Sequence, residues 1–249
     1  MIRKFTITVT GFLLLAILIL FAWYQIDGQP LAETQQYLAS NRYSIDISDD
    51  GSLLFLPASA NGYGVLIMHG ALIKPQSYAK TAAFFAERGY TVLLPYGFAR
   101  LSITAIRSTA ARMREMELQK WFVIGHSMGG LSSMMLVSGH DLPVKAVALW
   151  ASAIPTDYSK SSLPILMLWG DNDGLVPAER FQASQQNLPA SARFVTVKGG
   201  NHQNFAMYSH QFFDAEAKIS WREQIDFANR ETARFFVETV GVRHQSPGF

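Results

Sequence analysis

Hydrophobic and polar positions divide the chain into one long apolar run and a larger region where short apolar runs alternate with amphipathic stretches. Residues 5–24 carry no charge, and a helix of that length spans about 30 Å, the thickness of a bilayer's hydrocarbon layer. After a polar stretch at 26–42, strand-like runs recur at 43–48, 52–56, 63–68, 90–94, 120–124, 144–150, 163–169 and 193–197. Helical spacing occupies 76–88, 103–118, 128–138, 178–187 and 221–240, the last with Trp221, Ile225, Ala228, Phe235 and Phe236 expected to pack against a sheet. The middle runs are apolar on successive residues, as expected of strands covered on both faces, whereas the first two alternate and suit an antiparallel edge. The pattern predicts an α/β fold: a mostly parallel eight-stranded sheet with helices on both faces, preceded by one N-terminal transmembrane helix. The expected organisation is a cytoplasmic stub and anchor over 1–25, a tether or surface helix over 26–42, and a folded domain over 43–249.

Charge gives the apolar run a direction. The chain has 21 Lys and Arg against 19 Asp and Glu, and the excess is accounted for by Arg3 and Lys4 ahead of the run. Asp27 and Glu33 follow it, so the bias places the amino terminus in the cytoplasm and the folded domain outside, with Trp23 and Tyr24 at the outer interface. A cleaved signal peptide, giving a secreted or periplasmic protein, is the alternative; the length of the run and the absence of a small-x-small cleavage pattern favour an uncleaved anchor in the lipid bilayer. The small net charge offers no footprint for nucleic acid. Cysteine is absent, which excludes disulfides, thiolate metal sites and cysteine nucleophiles. Asp46, Asp49, Asp50, Asp171 and Asp173 lack a histidine-rich partner set, and no Walker loop or dinucleotide fingerprint is present, so neither metal nor cofactor is expected.

The strongest chemical signal is Gly125-His126-Ser127-Met128-Gly129, placed between an apolar strand and a helix. Small residues on either side let the chain reverse tightly and expose the Ser127 hydroxyl, while the Met128 amide at the helix start offers a donor to developing negative charge. Met68-His69-Gly70-Ala71-Leu72 follows another strand and offers a second oxyanion donor, Ala71 in preference to Leu72; His69 and His126 themselves are read as structural. A serine nucleophile needs a base, and the base an orienting acid. Gly170-Asp171-Asn172-Asp173-Gly174 follows a very apolar strand and supplies Asp173, with Asp171 as the alternative acid, and Gly199-Gly200-Asn201-His202 supplies His202 as base. The chain order is nucleophile, acid, histidine.

On these motifs the chain resembles the α/β-hydrolase superfamily over about residues 43–240. The resemblance implies Ser127 as nucleophile, the His69-Gly70 loop as oxyanion loop and Asp173 as the acid three residues after its glycine. More narrowly, Gly199-Gly200-Asn201-His202-Gln203-Asn204-Phe205 and Ile219-Ser220-Trp221-Arg222-Glu223-Gln224 resemble a branch of small, often membrane-anchored bacterial hydrolases distantly related to the dienelactone-hydrolase group.

The expected activity is cleavage of a small or medium carboxylic ester, a small-molecule acyl substrate, through an acyl-enzyme. The connection over 151–162 is too short for a large lipase lid. An amidase, thioesterase or lactonase would use the same triad, and a noncatalytic membrane-anchored interaction domain on the hydrolase fold is the alternative outside enzymology. Tyr96, Phe98, Leu101, Ile154, Tyr158, Leu175, Phe205 and Tyr208 are candidate pocket residues near strand ends.

Overall fold

A computed structural model of the chain describes residues 24–241 together with Leu15, Leu18 and Ala22. The apolar run expected to cross the membrane therefore lies almost wholly outside the described residues; among those described, no helix is long and apolar enough to span a bilayer.

The strands are β1 (Tyr43–Ile47), β2 (Leu53–Pro57), β3 (Tyr63–Met68), β4 (Thr91–Leu94), β5 (Lys120–His126), β6 (Val144–Trp150), β7 (Ile165–Gly170) and β8 (Arg193–Val197). They form one eight-stranded sheet in the order β1-β2-β4-β3-β5-β6-β7-β8. β2 runs antiparallel to both β1 and β4, and every pairing from β4 to β8 is parallel. The alternating first two runs thus form the antiparallel edge, and the continuously apolar ones form the parallel centre.

Helices cover both faces. α1 (Ala79–Ala86) and α5 (Trp221–Thr239) pack with Val65, Ile67, Phe122, Ile124 and Trp150 on one side. On the other, α2 (Ile106–Glu115), α3 (Met128–Gly139) and α4 (Ala178–Gln186) pack with Leu66, Met68, Trp121, Val123 and Leu149. Successive residues of β3 and β5 enter opposite cores, which is why those runs contain no polar alternation. Phe236 of α5 stacks on Phe122 with ring centroids 4.5 Å apart. At the start of α5, Ser220 and Glu223 form a reciprocal capping box, an arrangement in which the cap alone contributes about 1 kcal/mol.

β5 continues two residues past its expected end because Gly125 and His126 keep register with Leu149 and Trp150 of β6. Only Ser127 then separates β5 from α3. Residues 26–42 are bound to the domain instead of hanging free: a 3₁₀ turn covers Ala32–Tyr37, the Leu31 amide donates to the Met207 carbonyl at 3.0 Å, and Pro30 bridges Tyr208. The loops after β3, β5, β7 and β8 all leave from the carboxyl ends of parallel strands, where open α/β sheets gather their chemistry.

Candidate active site

Ser127 has φ 54° and ψ −122°, a backbone region that costs a non-glycine residue on the order of 1–3 kcal/mol. Its neighbours hold it there. The Ser127 amide donates to the Trp150 carbonyl at 2.9 Å, and the Ser127 carbonyl accepts from the Gly130 amide at 3.0 Å and the Ser152 hydroxyl at 3.1 Å. A Cβ at Gly129 would lie 2.0 Å from the Met68 carbonyl oxygen, and one at Gly125 would lie 2.4 Å from that of Gly129. The glycines are therefore demanded by the close approach of β3, β5 and the start of α3.

Asp173 and His202 are both buried and hydrogen-bonded, His202 Nδ1 lying 3.0 Å from Asp173 Oδ2 and 3.2 Å from Oδ1. A carboxylate only accepts, so Nδ1 carries the proton and Nε2 is left as the basic nitrogen. Asp173 Oδ1 also accepts from the amides of Val176 at 2.7 Å and Leu175 at 2.9 Å, which fixes the carboxylate. Asp171 is exposed and its carboxylate accepts instead from the Gly199 amide at 2.6 Å. It braces the histidine loop and does not reach the imidazole, so the alternative acid is replaced by a structural role.

The imidazole of His202 sits 5.0 Å, ring centre to ring centre, from His126, the residue before the serine. Among the described residues no hydrogen bond joins the Ser127 hydroxyl to His202. Such contacts in unliganded hydrolytic sites are often long and tighten when substrate binds.

Across from the serine, strand β3 ends beside β5, with Met68 in register with Gly125. A Cβ on Gly70 would stand 3.4 Å from Ser127 Cβ, so the loop after β3 lies against the elbow. The Leu72 amide donates to the Arg100 carbonyl at 2.7 Å and is removed from the choice of oxyanion donors. The amides of Ala71 and Met128 have no acceptor among the described residues.

His69 and His126 are fully buried and hydrogen-bonded, as expected of structural residues. His69 Nδ1 is 2.8 Å from the Gly70 carbonyl and Nε2 accepts from the Gly97 amide; burial lowers its pKa to about 4. His126 Nδ1 lies 2.7 Å from the Tyr78 hydroxyl and Nε2 lies 3.0 Å from the His202 carbonyl. Burial, and next the neighbouring His202, push its pKa well below the usual histidine value.

Three further residues shape the site. Tyr78 accepts from the Gly70 amide at 2.9 Å while facing His126. Asp214 accepts from the amides of Gln203 at 2.7 Å, Gly174 at 2.9 Å and His202 at 3.3 Å, tying the acid loop to the base loop. Buried Gln224 clamps the backbone of Asn201, accepting from its amide at 3.1 Å and donating to its carbonyl at 2.7 Å. Of these only Gln224 falls in a motif quoted above; Tyr78 meets the Gly70 amide and the distant His126 side chain, and Asp214 meets backbone amides of two loops, which leaves no spacing to read.

Several candidate pocket residues are corrected. Phe205 is fully buried against the rings of His126 and Trp150. Tyr208 is buried and donates to the Gln211 side-chain oxygen at 2.9 Å. Ile154 lies in the core with Phe181 and Val176. Tyr158 lines a cavity of about 400 Å³ with Val144 and Pro164, at the amino ends of β6 and β7 and so at the opposite end of the sheet from Ser127. Tyr96 and Leu101 are half-buried and Phe98 is exposed on the loop after β4, while half-buried Leu175 stands two residues beyond Asp173.

Residues 64–226, more than half of the chain, match the family described as the alpha/beta hydrolase family. The chain belongs to that family. Solved structures with the same fold include Est1E from Butyrivibrio proteoclasticus, 18% identical over 80% of this chain and 98% of that one, with a TM-score of 0.55. Naproxen esterase (carboxylesterase NP) from Bacillus subtilis is 14% identical over 82% and 94%, with a TM-score of 0.59. The alpha/beta hydrolase MGS-MChE2 from the metagenome of sediments from the lagoon of Mar Chica, Morocco, is 17% identical over 78% and 98%, with a TM-score of 0.58. No curated protein sequence matches the chain.

Proposed function

We propose that the chain is a membrane-tethered serine hydrolase acting on carboxylic esters of small or medium acyl groups. The observation that carries this is the buried Asp173–His202 pair, with Nε2 unpartnered among the described residues, at the same sheet end as the strained Ser127. Esterases among the proteins of like fold add support.

His202 Nε2 takes the Ser127 proton as Oγ bonds to the acyl carbon, and the carbonyl electron pair moves onto oxygen. The Ala71 and Met128 amides donate to that oxyanion; removing one such donor typically costs about 10²–10³ in rate. The intermediate collapses, the bond to the leaving oxygen breaks, and the alcohol departs with the proton from Nε2. Water then gives its proton to Nε2, attacks the acyl-enzyme and releases the acid, returning the proton to Ser127. Asp173 holds the Nδ1–H tautomer and offsets the positive charge of the imidazolium.

The chain is anchored by residues 5–24 with the hydrolase domain outside the cytoplasm, the reading that the flanking Arg3 and Lys4 support. A panel of water-soluble esters, thioesters, amides and lactones, compared between wild type and Ser127→Ala, tests the substrate class. Ester turnover that vanishes in Ser127→Ala is expected; a panel with no Ser127-dependent ester turnover contradicts it.

A further inference from the structure

The exposed large apolar side chains are gathered at one end of the domain. Among the described residues from 26 onward, only Met135 and Phe194 lie elsewhere. Phe98 (82% exposed) and Ile103 are on the loop after β4, Phe213 (92% exposed) is on the loop after β8, and Ile26 (65% exposed) is on the segment that follows the uncharged run. These loops leave from the strand ends that carry Ser127, Asp173 and His202.

The chain leaving residues 5–24 is fastened to this same end. The buried Arg100 guanidinium lies 3.6 Å from the Tyr24 ring centre, donates to the Tyr24 carbonyl, and donates to the Asp27 carbonyl at 2.8 Å. On the other side, the Ser209 hydroxyl donates to the Ile26 carbonyl at 3.1 Å and the Ser209 amide to the Gln29 carbonyl at 2.9 Å. A Cβ on Gly28 would meet the Leu72 carbonyl oxygen at 2.1 Å, so the segment lies directly on the loop that offers the Ala71 amide. The rim is continuous: Arg100 accepts from Leu72 beside the oxyanion loop, and the Phe213 backbone packs against Gly174 of the acid loop.

We propose that this rim faces the bilayer, and that the substrate is an acyl ester of a membrane-resident amphiphile presented at the lipid surface. The proposal rests on residues 5–24 anchoring the chain and, for the substrate, on the hydrolase activity proposed above. A continuous uncharged run of bilayer length ends within Arg100's reach, so the bilayer surface lies where the chain enters this rim. Exposed Phe and Ile side chains grouped beside that point suit the lipid interface, whereas a rim facing bulk water gains nothing from them.

The chain has no cysteine, so Phe98→Cys, Phe213→Cys and Asp141→Cys each place one environment-sensitive fluorophore on the full chain. Asp141 is exposed next to the amino end of β6, at the far end of the domain. In vesicles of phosphatidylethanolamine and phosphatidylglycerol with nitroxide-labelled acyl chains, labels at 98 and 213 are expected to be quenched severalfold more than the label at 141. Equal quenching at all three positions, or a chain that fails to float with the vesicles, overturns the proposal. In a second arm, Phe213→Asp is expected to slow hydrolysis of a butyryl ester of a vesicle-embedded diacylglycerol at least fivefold and to leave p-nitrophenyl butyrate turnover within twofold. Equal effects on both esters overturn the substrate assignment. Selective quenching with no Ser127-dependent turnover of either ester overturns the hydrolase reading and the substrate with it, and leaves the membrane-facing rim supported.

Discussion

The Tyr78 hydroxyl lies 2.7 Å from Nδ1 of His126, and the two side chains together bridge the loops on either side of the serine. The Gly70 amide donates to the Tyr78 oxygen, Tyr78 donates to Nδ1, and Nε2–H donates to the His202 carbonyl. Every polar atom in this chain is satisfied only if His126 is neutral, in keeping with the burial that lowers its pKa. The loop after β3 and the loop after β8 are thereby linked beside Ser127.

Tyr78→Phe removes one donor and one acceptor from this buried chain and leaves the Gly70 amide unpaired. The expected cost is about 1–3 kcal/mol of stability. Turnover of a soluble ester should fall about tenfold or more with KM within a factor of two or three, because the loops holding the oxyanion donors and the base lose their shared brace. Unchanged kcat in a destabilised Tyr78→Phe protein would show that the bridge serves folding alone.

The two aspartates of the β7 loop should separate cleanly. Asp173→Asn replaces the acceptor that fixes the Nδ1–H tautomer of His202, and the corresponding change in a serine triad lowers kcat by about 10⁴. Asp171→Asn touches only the Gly199 amide and should leave kcat within about tenfold. Parallel kinetics on the two variants decide the matter, and a larger loss in Asp171→Asn would reverse the assignment.

Ser127→Gly should abolish turnover and stabilise the fold. Glycine tolerates the positive φ at this turn, so strain on the order of 1–3 kcal/mol is relieved. A thermal midpoint that rises by a few degrees is expected; a fall would mean that contacts of the serine side chain outweigh the strain.

Stability should decline as pH drops from about 6.5 toward 4. His69 titrates near 4 in the fold and near 6.5 when unfolded, so in that window the unfolded chain binds the extra proton, and roughly 3 kcal/mol is lost by the acid end. His126 acts in the same sense. Asp27, whose pKa burial raises, acts in the opposite one, stabilising the fold as pH falls through that raised value. Urea midpoints measured between pH 7.5 and 4.5 should fall, with a shallower slope in His69→Gln. A flat profile would contradict the burial of two neutral imidazoles.

The candidate site residues that are legible in the sequence share one property: each follows the carboxyl end of a parallel strand. Apolar runs followed by glycine, at 120–124 and 163–169, mark the buried strands before Ser127 and Asp173, whereas 193–197 is an edge strand with Arg193, Phe194 and Thr196 exposed and leads to His202 through Gly199-Gly200. The braces were not legible. The hydrogen-bond partners of Arg100 are backbone carbonyls and those of Asp214 are backbone amides, and any residue can present those, so no hydrogen-bonding residue type marks them. Pocket positions are ambiguous in the sequence for a related reason. Aromatic residues near strand ends serve equally as the floor of the site, as Phe205 does beneath His126 and Trp150, and hydrophobicity alone does not distinguish floor from mouth.

The most direct measurement is covalent labelling of the full chain with a fluorophosphonate, followed by peptide mass mapping. One phosphonyl group on the Ser127 peptide is expected, absent in Ser127→Ala and strongly reduced in a folded His202→Ala variant. A folded wild-type chain that stays unlabelled, or that is labelled equally in both variants, would contradict the account.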